Sequence, residues 1–277
     1  MPTVPSVTLN NGVEMPQLGF GVFLVPPDEV VAPVRAALEA GYRLIDTATL
    51  YGNEEGVGRA IAESGVPRDE IFVTTKVWNS DQGYDRTLQA FDHSVKLLGL
   101  DAVDLYLIHW PTPARDLYAE TWRAFERIYA DGRARAIGVS NFHQPQLDRI
   151  LAEGAVVPAI NQIELHPGFA QERLRAFNTQ HGIVTEAWGP LGRGQGLLDR
   201  PEVRAIADAH GKTPAQTVLR WHIQIGVVAI PKSVRAERIQ ENIDIFNFAL
   251  TPDEVATLSS LDGPGRLGPD PEGFNRA

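Results

Sequence analysis

Four side chains in the first 110 residues carry most of the chemistry this sequence can offer. Asp46 and Tyr51 stand five residues apart in "LIDTATLYGNE", Lys76 closes the run "IFVTTK", and His109 falls near the end of "VDLYLIHW". Taken singly, each has a plainer reading. Asp46 could cap the following helix, Tyr51 could be a half-buried surface aromatic, Lys76 could snorkel out of a strand end, and a lone histidine is more often structural. Taken as a group they are an acid, a phenol, an amine and an imidazole. A lysine ending a stretch otherwise made for burial needs a nearby anion, and Asp46 is its natural partner. An ammonium beside a phenol favours the phenolate and lowers its pKa from the ordinary value of about 10, so Tyr51 is expected to be a usable proton donor near neutrality. His109 could then orient a carbonyl oxygen between its ring nitrogen and the tyrosine hydroxyl.

The elements that must bring these groups together follow a simple order. "SVTLNNGVEMPQL" reads as a hairpin around Asn10-Asn11-Gly12. Strand-like and helix-like stretches then alternate, from "LGFGVFL" and "PDEVVAPVRAALEAG" to "VVAIPKS" and "RAERIQENI". Asp28 can cap the first helix, Gly41 can end it, and Pro33 is tolerable there only near the first turns. Counting "TPAQTVLRWHIQIG" with the helical layer gives eight strand–helix units, whose strands are the near-continuous apolar runs of parallel strands buried on both faces. A doubly wound sheet also alternates, but eight units without a domain-scale linker point to an α/β fold of the (β/α)8 TIM-barrel type, with the N-terminal β-hairpin closing the bottom. The expectation is one domain over residues 1–277, with a Pro/Gly-rich tail from about 262 to 277 lying over the barrel mouth or flexible. In such a barrel the chemistry sits at the C-terminal strand ends, where all four residues fall.

"LIDTATLYGNE", "TTKVW", "DLYLIHWP", "GVSNF", "NQIELHP" and "IPKSVRAERIQEN" resemble, in order, the hallmarks of the aldo-keto reductase superfamily. The likeness runs nearly end to end. Within the superfamily the chain looks most like the bacterial 2,5-diketo-gluconic acid reductases, through "YGNEEGVG", "HWPTP", "WGPLG" and "HGKTPAQ". The resemblance implies a catalytic tetrad of Asp46, Tyr51, Lys76 and His109, with Asp46 fixing Lys76 and Lys76 tuning Tyr51.

It also implies a nicotinamide cofactor, since side chains cannot supply a hydride. No Rossmann G-x-G-x-x-G follows the first strand; "GFGVFL" and "GRGQGL" lack its spacing and helix context. The anion site is expected instead at "PKSVRAERIQEN", where Lys232, Ser233 and Val234 open a helix carrying Arg235 and Arg238. By resemblance Lys232, Ser233 and Arg238 hold an adenosine 2'-phosphate and Glu241 and Asn242 meet the adenine, so NADPH/NADP is the expected cofactor. Ser140, Asn141 and Gln162 suit the carboxamide, and Val22 is counted with the cofactor residues. Trp188 could stack on the nicotinamide or simply pack in the core. Gly189, Pro190, Leu191 and Gly192 begin a loop expected over the pyrophosphate, in which Arg193 could meet a substrate carboxylate or a cofactor phosphate. Phe23, Trp78 and Trp110 are expected to wall an apolar substrate pocket.

The bulk numbers narrow the alternatives. A net charge of -10 over 277 residues argues against nucleic acid or an anionic membrane as the main partner. Cysteine is absent, which excludes disulfides, thiolate metal sites and cysteine nucleophiles. No signal peptide or run long enough to span a bilayer is evident, so a cytoplasmic monomer without a metal is the simplest expectation. The activity implied is NADPH-dependent reduction of aldehydes or ketones, with diketo-sugar acids or small aldehydes such as methylglyoxal as substrates. Two rivals stay open: an NADPH-binding sensor without useful turnover, and a barrel lyase or isomerase whose basic cluster holds a sugar phosphate.

Overall fold

The computed structural model describes residues 4–261 and 265–277. The first two strands, β1 (Ser6–Thr8) and β2 (Glu14–Pro16), form the expected antiparallel hairpin, with Gly12 in the left-handed region at its turn. Eight parallel strands follow: β3 (Phe20–Gly21), β4 (Leu44–Asp46), β5 (Phe72–Val77), β6 (Val103–Ile108), β7 (Ala134–Ser140), β8 (Ile160–Glu164), β9 (Val184–Trp188) and β10 (Val228–Ala229). Each pairs with its neighbour in sequence order. The ring is closed by backbone bonds between its ends, from Gly19 to the Ala229 carbonyl (2.9 Å), Ala229 to Gln17 (3.1 Å) and Gly21 to Pro231 (3.0 Å).

Among the described residues, ten helices surround the ring: α1 (Val31–Ala40), α2 (Glu54–Glu63), α3 (Tyr84–Leu98), α4 (Tyr118–Ala130), α5 (Gln144–Glu153), α6 (Glu172–Gln180), α7 (Pro201–His210), α8 (Pro214–Gln224), α9 (Ala236–Ile243) and α10 (Pro252–Ser259). Gly41 ends α1 as expected, in the left-handed conformation that carries no penalty without a Cβ. Asp28 does not cap it. The helix starts three residues later, after Val30, which brings Pro33 into the first turn, where its missing N–H would have no intrahelical partner.

Side chains alternate between the helical layer and the barrel interior, and along most strands the interior set changes character. At the lower end, Leu44, Phe72, Leu105, Ala136, Ile160 and Val228 pack into one apolar cluster, sealed by Leu9 and Met15 of the hairpin region. Two residues further up on the same faces stand Asp46, Thr74, Gln162 and Glu186, and above them Lys76, Ser140, Glu164 and Trp188. The outward positions Ile45, Val73, Val77, Tyr106 and Ile108 join the large core under the helices. A floor that is dry below and polar above is what positions the site.

Candidate active site

Period-2 alternation carries Asp46 and Lys76 into the barrel from adjacent strands. The Lys76 ammonium is fully buried and donates to Asp46 Oδ1 (2.7 Å), Asp46 Oδ2 (2.8 Å) and the Thr47 carbonyl (2.9 Å). Its remaining neighbour is the Tyr51 hydroxyl at 3.5 Å. Tyr51 lies in a short 3-10 turn, Thr49–Tyr51, just beyond β4, and that turn is tied to β5 by Thr49 Oγ1 donating to the Lys76 carbonyl (2.9 Å). Burial works to deprotonate Lys76, but the charge and hydrogen bonds of Asp46 outweigh it and hold the amine protonated, above its ordinary value.

The expected pKa direction at Tyr51 is corrected. Lys76 does pull the phenol down, but desolvation of its hydroxyl end is larger, and Tyr51 is pushed up to about 12. The phenol therefore stays protonated throughout the neutral range. Lys76 limits the cost of burying a nascent phenolate rather than making the resting phenol acidic. An alkoxide is a far stronger base than a phenolate, so proton transfer from Tyr51 to a developing alkoxide remains downhill.

His109 follows β6 and its ring stands edge-on to Tyr51 (centroids 5.7 Å apart) and to Trp78 (5.2 Å). Burial, with Lys76 beside it, holds the imidazole well below its ordinary pKa and thus neutral. Its Nδ1 is buried without a partner among the described residues. A neutral imidazole beside the phenol can donate one N–H to a carbonyl oxygen.

The residues expected at the nicotinamide end form one connected floor. Asn141, in the left-handed region directly after β7, donates from Nδ2 to the His109 carbonyl (2.9 Å) and to Ser140 Oγ (3.0 Å). Its Oδ1 accepts from Trp188 Nε1 (2.7 Å), and Ser140 Oγ donates to the Gln162 carbonyl (2.9 Å). Gln162 spends its amide nitrogen on Asp46 Oδ2 and Glu186 Oε2, both at 2.9 Å. What this set can turn toward a carboxamide N–H is chiefly oxygen, from Gln162 and Asn141. Val22 is buried beside the tetrad, its N–H bonded to the Asp46 carbonyl (3.1 Å).

Beyond Trp188 the loop Gly189, Pro190, Leu191 and Gly192 runs to an exposed Arg193, itself left-handed (φ 50°). Gly192 is required there: a Cβ would lie 2.8 Å from that of Leu197. Lys232, Val234, Arg235 and Arg238 are exposed around the start of α9, while Ser233 is nearly buried and its Oγ accepts from the Arg235 N–H (3.1 Å). The first N–H groups of α9 carry no side-chain cap, so cations and free donors share one helix start. Farther along α9, Glu241 accepts from Thr213 Oγ1 (2.7 Å) and Asn242 is buried.

Around the tetrad, Phe23 packs on Tyr51 (5.1 Å) and Trp78 on His109, with Trp110 alongside. A further wall comes from a residue that sequence reasoning did not reach. Phe274 of the tail contacts both Trp110 (4.5 Å) and Trp78 (6.5 Å). The expected tail began at residue 262, and residues 262–264 lie outside the described set; from 265 onward it lies over the mouth. The Glu164 carboxylate accepts the Leu267 and Gly268 N–H groups (2.6 and 2.9 Å) and contacts His166 (3.3 Å). Burial would raise Glu164, but these contacts outweigh it and keep the acid below its ordinary value. Gly268 passes so close to Trp188 that a Cβ would sit 2.5 Å from the ring. Asn79 Nδ2 donates to the Arg276 carbonyl (2.7 Å), and Asn275 Oδ1 accepts from the Ala114 N–H (2.8 Å).

Sequence reasoning also passed over Glu186, although the signal was there. An acid inside "IVTEAW" raises the same question as a lysine inside "IFVTTK".

Comparison with known proteins agrees with this geometry. The profile described as "Aldo/keto reductase family" matches residues 17–262. The chain is 54% identical to a morphine 6-dehydrogenase of Pseudomonas putida, covering 96% of this chain and 94% of the relative. It is 51% identical to a glyoxal reductase of Bacillus subtilis, covering 96% of both. A solved Gox0644 mutant in complex with NADPH superposes with a TM-score of 0.95 at 46% identity over 99% of each chain. With the barrel, its polar upper floor and this kinship in agreement, the chain belongs to the aldo/keto reductase family.

Proposed function

We propose that this protein reduces aldehydes and ketones to alcohols with NADPH, and that Tyr51 gives the proton. The observation that carries the reading is the buried Lys76 ammonium, clamped by Asp46 and directed at the Tyr51 hydroxyl. A bound reduced nicotinamide supplies the hydride. The chain's own residues do the rest. His109 orients the carbonyl oxygen, Tyr51 protonates it, and Lys76 stabilises the phenolate left behind until solvent returns the proton. Phe23, Trp78 and Trp110 keep water from the reacting carbon.

The cofactor residues fit such a group. Asn141 and Gln162 turn oxygens toward a carboxamide, and Trp188 offers a ring beside them. Lys232, Ser233, Arg235 and Arg238 collect at the start of α9, which suits a 2'-phosphate and favours NADPH over NADH. Glu241 and Asn242 follow as adenine contacts, with Val22 and Val234 bordering the ligand at its two ends. A sensor without turnover has no use for a buried amine held against a phenol, and a lyase has none for the carboxamide set.

For substrate, small reactive dicarbonyls are the favoured class, supported by the glyoxal reductase relative and by the mostly aromatic mouth. Diketo-sugar acids, suggested by the sequence motifs, would need a cation near the mouth, for which the exposed Arg193 and the exposed Arg276 of the tail are candidates. The test is to follow NADPH absorbance with glyoxal, methylglyoxal and a diketo-gluconate. Oxidation of NADPH supports a reductase and the preferred carbonyl names the class. Binding without oxidation supports the sensor, and no binding overturns the reading.

A further inference from the structure

Glu186 takes no part in the chemistry above, yet it stands in the same interior layer. It lies in the middle of β9, is fully buried, and pairs in register with Gln162 of β8. The Gln162 amide nitrogen bridges it to the tetrad, donating to Glu186 Oε2 and to Asp46 Oδ2, each at 2.9 Å. Glu186 Oε1 is buried without a partner among the described residues. The charged groups that face it are Asp46 from β4 and Lys76 from β5, with the titratable Tyr51 beyond Lys76. Both ammonium contacts to carboxylate oxygen belong to Asp46, so Glu186 is a second acid beside an ion pair that is already complete. Such an acid is far less costly to bury neutral than charged. Desolvation first, and the Asp46 charge second, push it up to about 8 against the pull of Gln162 and Lys76.

We propose that Glu186 is a positioning residue for the proton donor: as a neutral acid it lets Gln162 hold Asp46 square on Lys76, and as an anion it draws the Lys76 charge away from Tyr51. The inference rests on Tyr51 being the donor. With Glu186 ionised, one ammonium serves two carboxylates, and the phenolate formed on Tyr51 is less well compensated. Turnover is therefore full while Glu186 holds its proton and falls as pH rises through its titration, from about pH 7 to about pH 9. His109 is held far below that window and Tyr51 lies far above it, so neither supplies this limb.

The experiment compares kcat for aldehyde reduction against pH in the wild-type chain and in Glu186→Gln, which keeps the shape and an acceptor but cannot ionise. The wild type is expected to lose roughly tenfold between pH 7 and 9. The variant should stay flat within about twofold, with NADPH binding by fluorescence unchanged in both. A wild type without that limb, or a variant that retains it, overturns the proposal. If Glu186→Gln does not fold, Glu186→Met is judged by the same criterion. Should the wild type reduce no carbonyl at any pH, the functional reading fails on its own. The infrared band of a protonated carboxyl then decides the Glu186 part. A band present at pH 7, gone at pH 9 and missing from the variant keeps the proton on Glu186, and its absence at pH 7 overturns it.

Discussion

Two buried aspartates on this barrel hold cations in opposite ways. Asp104, near the start of β6, accepts from Arg68 (2.7 Å), Arg135 (2.7 Å) and the Val73 N–H (2.9 Å). Both guanidinium groups reach in from solvent, with side chains 36% and 51% exposed. Every contact there ends in structure, joining the short turn Arg68–Glu70 and β5 to the strands β6 and β7. Asp46 instead holds a lysine that is wholly buried, whose one remaining approach leads to a phenol at the floor of an open mouth. The first cluster ties its charges into structure, whereas the second, on the proposed reading, stores one where a reaction can draw on it. Hydration is the difference: an arginine with a wet head loses little when its partner goes, and a dry ammonium has nothing else to turn to.

That contrast can be broken at four points. Tyr51→Phe, which removes the outlet of the stored charge, should lower carbonyl reduction by roughly a hundred- to ten-thousand-fold while NADPH affinity stays the same, as read by steady-state rates and cofactor fluorescence. Normal turnover in that variant would remove Tyr51 from its role. Lys76→Met should also silence most turnover, and by leaving Asp46 unpaired in the interior it should cost about 3–5 kcal/mol in denaturant unfolding. Asp104→Ala should cost about 2 kcal/mol in the same measurement without changing kcat, and a fall in kcat would show that the two aspartates are not separable. Arg135→Ala should cost under about 1 kcal/mol, since its head is already half in water.

The order of strands and helices, the hairpin under the barrel and the convergence of Asp46, Tyr51, Lys76 and His109 were all legible in the sequence. Parallel strands buried on both faces are conspicuous as apolar runs, and a charge at the end of such a run stands out. What escaped depended on distance across the fold. Glu186 acquires its meaning only through Gln162, whose amide spans the barrel to β4. The sign of the Tyr51 shift required knowing how deeply the hydroxyl is buried, and a spacing of residues says nothing about depth. That the tail lies over the mouth was one of two expectations, and the sequence could not choose it because Glu164 receives backbone N–H groups about a hundred residues away, which no local pattern encodes. Asp28 misled because a cap is read from one residue, while the start of α1 is set by where Val30 and Val34 meet the core.

The placement of Phe274 sets the entrance apart from the groups proposed to handle the proton. Asp46 and Lys76 rise from strands locked into a hydrogen-bonded ring, Tyr51 and His109 follow β4 and β6, and Trp78 and Trp110 stand on short connections beside them. The aromatic that completes the enclosure arrives on an irregular segment moored by backbone contacts and by the Glu272 and Asn275 side chains. On the proposed reading, a substitution at residue 274 can therefore widen or narrow the entrance while the Asp46–Lys76–Tyr51 contacts beneath keep their partners, which gives this architecture a ready way to change its clientele without relearning its chemistry.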